Sequence, residues 1–305
     1  MEPISGVSRK AALIAGLPLP LRRLALRTVF RVYAAVGRSP RSGLADRFER
    51  VLRLPRREAR RLDREAAFHD ALAELEWLAL LTRSRAAIQR DLAHVVTQSP
   101  EVLRRIAASG EPVILAPLHM GPYVIGLLSI LVTFFPGRSV LILRRRDDRP
   151  LETRVMERIT EFGMPVRFLT VTDRAGYLPA IRYARQGAVI VVFADLPPRY
   201  GKPAPMPIFG LQTAFAFGID SLAHLTGATV VPLAIGADAG GAVVVPRYPF
   251  AVQANDALER GRVADLMRRH IETTIRERPA QWHFWPSLQE YLAAEDPLMP
   301  IERAA

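Results

Sequence analysis

His119 stands in the segment Glu111-Pro-Val-Ile-Leu-Ala-Pro-Leu-His119-Met-Gly-Pro-Tyr-Val124. A neutral imidazole placed there can take a proton from an attacking hydroxyl or amine. Residues 113–116 form an apolar run of strand length. Pro117, Gly121 and Pro122 break it, and residues 123–135 are an apolar run of helical length. The histidine is therefore expected in a strand-to-helix turn, at the carboxyl end of a buried strand, where open α/β sheets collect their chemistry. No carboxylate follows within helical reach to orient the ring.

Other polar residues fall at the ends of later apolar runs. Arg144, Arg145 and Arg146, with Asp147 and Asp148, follow a run at 139–143. Thr172 and Asp173 follow 166–169, and Asp195 follows 188–193 in Phe-Ala-Asp-Leu-Pro-Pro. If these runs lie side by side in one sheet, a base, a guanidinium and a carboxylate converge over one edge, a set suited to acyl transfer. His224 and His283 read as structural, and Trp282 and Trp285 as core or interfacial aromatics.

The elements that must position these groups follow from the texture of the chain. Residues 1–95 read as helices punctuated by Pro40, Gly43 and Pro55, with long helical periodicity over 64–96. From Pro100, short β-rich runs alternate with helical ones. Helices are expected over 123–135, 151–162, 175–186, 213–226 and 257–276. Strands are expected over 113–116, 139–143, 166–169, 188–193, 229–235 and 242–246. This predicts an α/β fold: a mainly parallel or mixed central sheet covered by helices, with a helical N-terminal region. The expected division is 1–95 and 96–295.

The net charge of +12 is uneven: about 15 basic residues against about four acids fall in residues 1–61. In Leu21-Arg-Arg-Leu-Ala-Leu-Arg-Thr-Val-Phe-Arg31 and onwards, Leu21, Leu24, Thr28, Val32 and Ala35 share one helical face. Arg22, Arg23, Arg27 and Arg31 lie beside or opposite. The pattern suits a helix lying on an anionic membrane surface; a helix packed on its own domain is the alternative. No stacking platform or reader motif suggests nucleic acid.

The chain contains no Cys, which excludes disulfides and thiolate chemistry. No His spacing suggests a metal site, and no glycine-rich phosphate loop or other cofactor motif occurs. No run reaches the roughly 20 apolar residues of a transmembrane helix. Pro18 and Pro20 break the N-terminal apolar stretch, so a signal peptide is not expected.

Several motifs occur in a telling order: His119-Met-Gly-Pro-Tyr-Val, Arg144-Arg-Arg-Asp-Asp-Arg, Gly187-Ala-Val-Ile-Val-Val-Phe-Ala-Asp195-Leu-Pro, Pro207-Ile-Phe-Gly210, Gln212-Thr-Ala, Thr226-Gly-Ala-Thr-Val-Val-Pro232 and Arg278-Pro-Ala-Gln-Trp282-His-Phe-Trp. Together, over about residues 98–290, they resemble the lipid A late acyltransferases of the lysophospholipid acyltransferase-like superfamily. The resemblance implies transfer of a fatty acyl group from an acyl carrier protein or coenzyme A thioester to a hydroxyl. It also implies a peripheral place on the cytoplasmic face of the inner membrane. His119 matches the family's base, Asp195 its later acid, and Arg144 or Arg146 its arginine. An acyl groove would be lined by residues such as Tyr123, Leu127, Phe134, Phe209 and Phe215.

The chain departs from the family's His-x4-Asp/Glu pattern, because Val124 stands where the acid belongs. Three accounts are open. A carboxylate from another loop, Asp195 or Asp173, replaces the lost acid. Alternatively His119 works alone on a more nucleophilic acceptor such as an amine. Lastly the scaffold is a non-catalytic lipid- or carrier-binding protein.

Overall fold

The computed structural model describes residues 9–144, 150–170, 174–238 and 241–292. Five helices come first: α1 (Arg9–Gly16), α2 (Leu19–Ala35), α3 (Ala45–Leu52), α4 (Arg56–Thr82) and α5 (Arg85–Leu92). The periodicity over 64–96 predicts one helix, but the chain breaks it. Arg83 turns to extended backbone, and the Ser84 hydroxyl accepts the Ala87 N–H to cap α5, a contact worth about 1 kcal/mol. Residues beyond α5 then form β1 (Val95–Thr97), a strand absent from the sequence reading.

The remainder alternates. It runs through α6 (Pro100–Ser109), β2 (Val113–Pro117), α7 (Tyr123–Phe134), β3 (Val140–Arg144), α8 (Pro150–Glu157), β4 (Val166–Thr170), α9 (Arg174–Ala184) and β5 (Val189–Val191). There follow β6 (Pro203–Pro205), β7 (Ala214–Ala216), α10 (Ile219–Thr226), β8 (Thr229–Ala237), β9 (Ala242–Pro246) and α11 (Ala257–Glu277). The helix expected over 213–226 is shorter at its start, because residues 214–216 pair with β6 in a two-stranded ribbon.

Seven strands form one sheet in the order β1-β9-β8-β2-β5-β3-β4. All neighbours are parallel except β8 and β9. The fold is α/β with a mostly parallel sheet. β2 is buried along its whole length, so its sequence is apolar without alternation. From β2 the chain passes to β3 and β4 on one side, returns to insert β5 beside β2, and then lays β8 on β2's other side. The β2 carboxyl end is thus flanked by the ends of β5 and β8, and one large apolar cluster lies on each face of the sheet.

The helix α2 has an unusual orientation. Arg22 and Arg23 are buried, at 1% and 7% exposure, whereas Leu21, Leu24 and Val32 stand 51%, 55% and 58% exposed. Arg22 and Arg83 pair with Asp91, and Arg23 pairs with Glu76. Buried guanidinium groups need such partners. Burial pushes the Glu76 carboxyl up, with Arg23 and Arg22 pulling against it. Two of the four arginines therefore anchor α2 to α4 and α5, and the apolar stripe is left outward.

Candidate active site

β2 and β5 pair in parallel with Val113 opposite Val189 and Leu115 opposite Val191. The ladder continues with Val192 and Ala194 donating to the carbonyls of Leu115 and Pro117. The same offset carried past the strand ends brings His119 opposite Asp195. The His119 Nδ1 lies 2.9 Å from Asp195 Oδ1, and the His119 backbone N–H donates to Oδ2 at 2.8 Å. Of the accounts open from the sequence, a carboxylate from another loop is the arrangement found: the sheet register brings Asp195 to the ring from the segment after the neighbouring strand.

Asp195 is fully buried, and its carboxylate is well provided for. The Trp282 indole N–H donates to Oδ2 at 2.9 Å, and the Tyr291 hydroxyl donates to the Asp195 carbonyl at 2.6 Å. A carboxylate with three donors keeps its oxygens fixed. Burial, and then the charge of Asp195, hold the Tyr291 phenol protonated. Trp282 and Tyr291 escaped the sequence reading of the site. The available signal was weak: a buried indole N–H must find an acceptor, and a carboxylate is a strong one.

In the neutral ring, the Asp195 acceptor places the His119 proton on Nδ1 and leaves Nε2 with its lone pair. The ring is stacked on Phe193, with centroids 4.0 Å apart, and flanked by Phe284 and Tyr123. Its side chain keeps 19% exposure, onto a cavity of about 390 Å³. That cavity runs from His119 along α7 past Tyr123, Val124 and Leu127 to Leu131, with Ile142 and Ile159 on its far walls. Val124 is thus a wall residue.

The turn itself is sterically demanding. Gly121 has φ +54°, and a Cβ there would meet Gln281 Oε1 at 2.7 Å and the Gly236 Cα at 3.0 Å. Only glycine allows that approach.

Arg144, at the end of β3, reaches the same cavity. Its guanidinium lies over the Phe168 ring at 4.4 Å and donates to Thr153 Oγ1 at 2.9 Å. Among the described residues it makes no ion pair. Arg145, Arg146, Asp147, Asp148, Thr172 and Asp173 lie outside the described residues. Tyr123 and Leu127 line the cavity; Phe134, Phe209 and Phe215 do not. Phe134 sits at the far end of α7. Phe209 stacks on Trp285, and Phe215 packs on Tyr291 in the cluster on the other side of the sheet. Sequence gave their apolar character but not their side of the sheet. Phe193, Phe284 and Trp77 take their places on the cavity wall.

No group of three or more metal-ligating side chains occurs among the described residues. No helix among them is long and apolar enough to cross a membrane.

The model of the bacterial lipid A biosynthesis acyltransferase family matches residues 11–287. The chain belongs to that family. The match spans both the N-terminal helices and the sheet, and the general activity of the family is acyl transfer in lipid biosynthesis. Comparison with curated proteins found no match. For a member of this acyltransferase family, the placement of Asp195 gives the missing i+4 carboxylate a direct answer: the histidine of the turn has a carboxylate partner, drawn from the segment that follows β5.

Proposed function

We propose that the protein transfers a fatty acyl group from a thioester, carried by an acyl carrier protein or coenzyme A, to a hydroxyl or amine acceptor, with His119 as general base. The observation that carries this reading is the 2.9 Å contact between His119 Nδ1 and the buried Asp195 at the head of an apolar cavity. The acyl chain lies along Leu127, Leu131 and Ile142. His119 Nε2 takes the proton of the acceptor as its oxygen or nitrogen attacks the thioester carbonyl. Asp195 holds the imidazolium that forms. Arg144 faces the developing oxyanion or an acceptor phosphate. As the carbon–sulfur bond breaks, Nε2 returns the proton to the departing thiolate.

The same reading uses the N-terminal region, 1–95, as the membrane-facing part and 96–295 as the part that carries the chemistry. The outward stripe of Leu21, Leu24 and Val32, beside Arg27 and Arg31, suits a peripheral hold on an anionic membrane. Binding to anionic vesicles should then weaken with salt, and the triple change of Leu21, Leu24 and Val32 to Asp should abolish sedimentation with them. Unchanged sedimentation removes the membrane role.

The decisive experiment supplies the purified protein with acyl-carrier-protein and acyl-coenzyme A donors and a panel of hydroxyl and amine acceptors. Thiol release and acylated product are measured. His119→Ala should lower turnover by about 10²–10⁴-fold while circular dichroism stays native. Full activity in that variant overturns the mechanism. Acyl-chain binding without turnover in the wild type favours a non-catalytic carrier- or lipid-binding protein.

A further inference from the structure

A second histidine borders the cavity, and its hydrogen bonds are of a different kind. Residues 281–283 run antiparallel to the His119 turn. Gly121 N–H donates to the Gln281 carbonyl at 2.8 Å, Met120 bridges Trp282, and His283 N–H donates to the His119 carbonyl at 3.0 Å. The His283 side chain then folds back over the same turn. Its Nε2 lies 2.9 Å from the Gly121 carbonyl oxygen, and its Nδ1 lies 2.8 Å from Asp70 Oδ1 on α4.

Both partners are acceptors only. A neutral imidazole carries one N–H, so either tautomer would press a nitrogen lone pair against an oxygen lone pair. In a partly buried place an unmade hydrogen bond is costly. The doubly protonated ring satisfies both contacts, and the one to Asp70 becomes a charge-assisted bond.

The surroundings agree. The titratable groups that face His283 are Asp70 and His69 from α4 and His119 and Tyr123 from the turn and α7; Arg144 and Arg199 border the same cavity. Among the described residues, Asp70 is the one carboxylate on the ring. Burial first, then the charge of His283, lowers His69 to about 4, so it stays neutral. A second tie runs from the same helix face. Trp77, about two turns beyond Asp70, donates its indole N–H to the Tyr123 hydroxyl at 3.3 Å.

We propose that His283 is a positioning residue: a doubly protonated imidazolium, with Asp70 as counter-ion, that grips the Gly121 carbonyl and holds the His119 turn against α4. This rests on the acyltransferase reading for its effect on turnover, but not for its protonation. The N-terminal helices thereby take part in setting the geometry of the reacting histidine.

The test uses the full-length protein with ¹⁵N-labelled histidine. At pH 7 the His283 nitrogens, assigned by their loss in His283→Gln, should both show the shifts of a protonated ring. A neutral tautomer there overturns the proposal, whether or not turnover has been found. Asp70→Asn takes the negative charge away from Nδ1, so the ring should change to the neutral Nε2–H form and still bond Gly121. His283→Ala should lower kcat by about 10–100-fold, as small misplacements of reacting groups do, with a much smaller change in donor KM. An unchanged kcat in His283→Ala also overturns the proposal.

Discussion

Two histidine–carboxylate pairs face one cavity, and they differ in the use of the second ring nitrogen. His119 binds Asp195 through Nδ1 and leaves Nε2 to the cavity. His283 binds Asp70 through Nδ1 and the Gly121 carbonyl through Nε2. Their carboxylates differ as well: Asp195 is sealed in, whereas Asp70 keeps 44% of its side chain exposed. The first ring is equipped to exchange a proton, and the second to keep one. A histidine beside an acid is therefore not by itself a base. What the far nitrogen meets decides between chemistry and support.

Asp195→Asn attacks the first pair directly. The amide nitrogen must face the backbone N–H of His119, its ring N–H or the Trp282 indole N–H, all of them donors. Turnover should fall by about 10²–10⁴-fold, by the logic of a lost orienting carboxylate. A loss of about 1–3 kcal/mol in unfolding free energy, read from urea melts, should accompany it. Wild-type turnover in this variant would sever the link between Asp195 and the histidine.

Val124→Glu asks whether the carboxylate at the family's usual position is missed. Val124 is a wall of the acyl cavity, and His119 already has its acceptor. A charge placed there should be poorly solvated, compete for the ring and reduce turnover, by about tenfold on the scale of one pKa unit or more of disturbance. A gain in activity would mean that the present arrangement is a decayed version of the i+4 pair.

The smallest effect concerns a third histidine that has no carboxylate on it. His270 of α11 is buried, and desolvation lowers it to about 3 from about 6.5. The unfolded chain therefore takes this proton first as pH falls. Stability should drop from about pH 6.5 downward, by ~2 kcal/mol between pH 6.5 and 5. His270→Met should flatten that part of the urea-midpoint profile; an unchanged profile would mean His270 is protonated in the fold.

Much of this was legible in the residues themselves. The apolar run of β2, the Pro-Gly-Pro break and the apolar helix behind them place His119 in a strand-to-helix turn, because local propensity and burial agree there. Asp195 was legible as a polar residue at a strand end. The ribbon of β6 and β7 was not, since three-residue strands carry too few positions for a period. The role of Val124 was misleading for a related reason. A motif counts along one helix, whereas the partner of His119 comes 76 positions later in the chain.

Sequence alone determined the type of the longer elements, the basic N-terminus, the absence of thiol chemistry and the candidate base, since these depend on residue type and short-range spacing. The tertiary structure decided which carboxylate met which histidine, because parallel register joins residues distant in sequence. It also decided which phenylalanines reached the cavity, as the side of a sheet follows from strand order. And it turned Arg22 and Arg23 inward and the leucines of α2 outward, because buried Asp91 and Glu76 required cations.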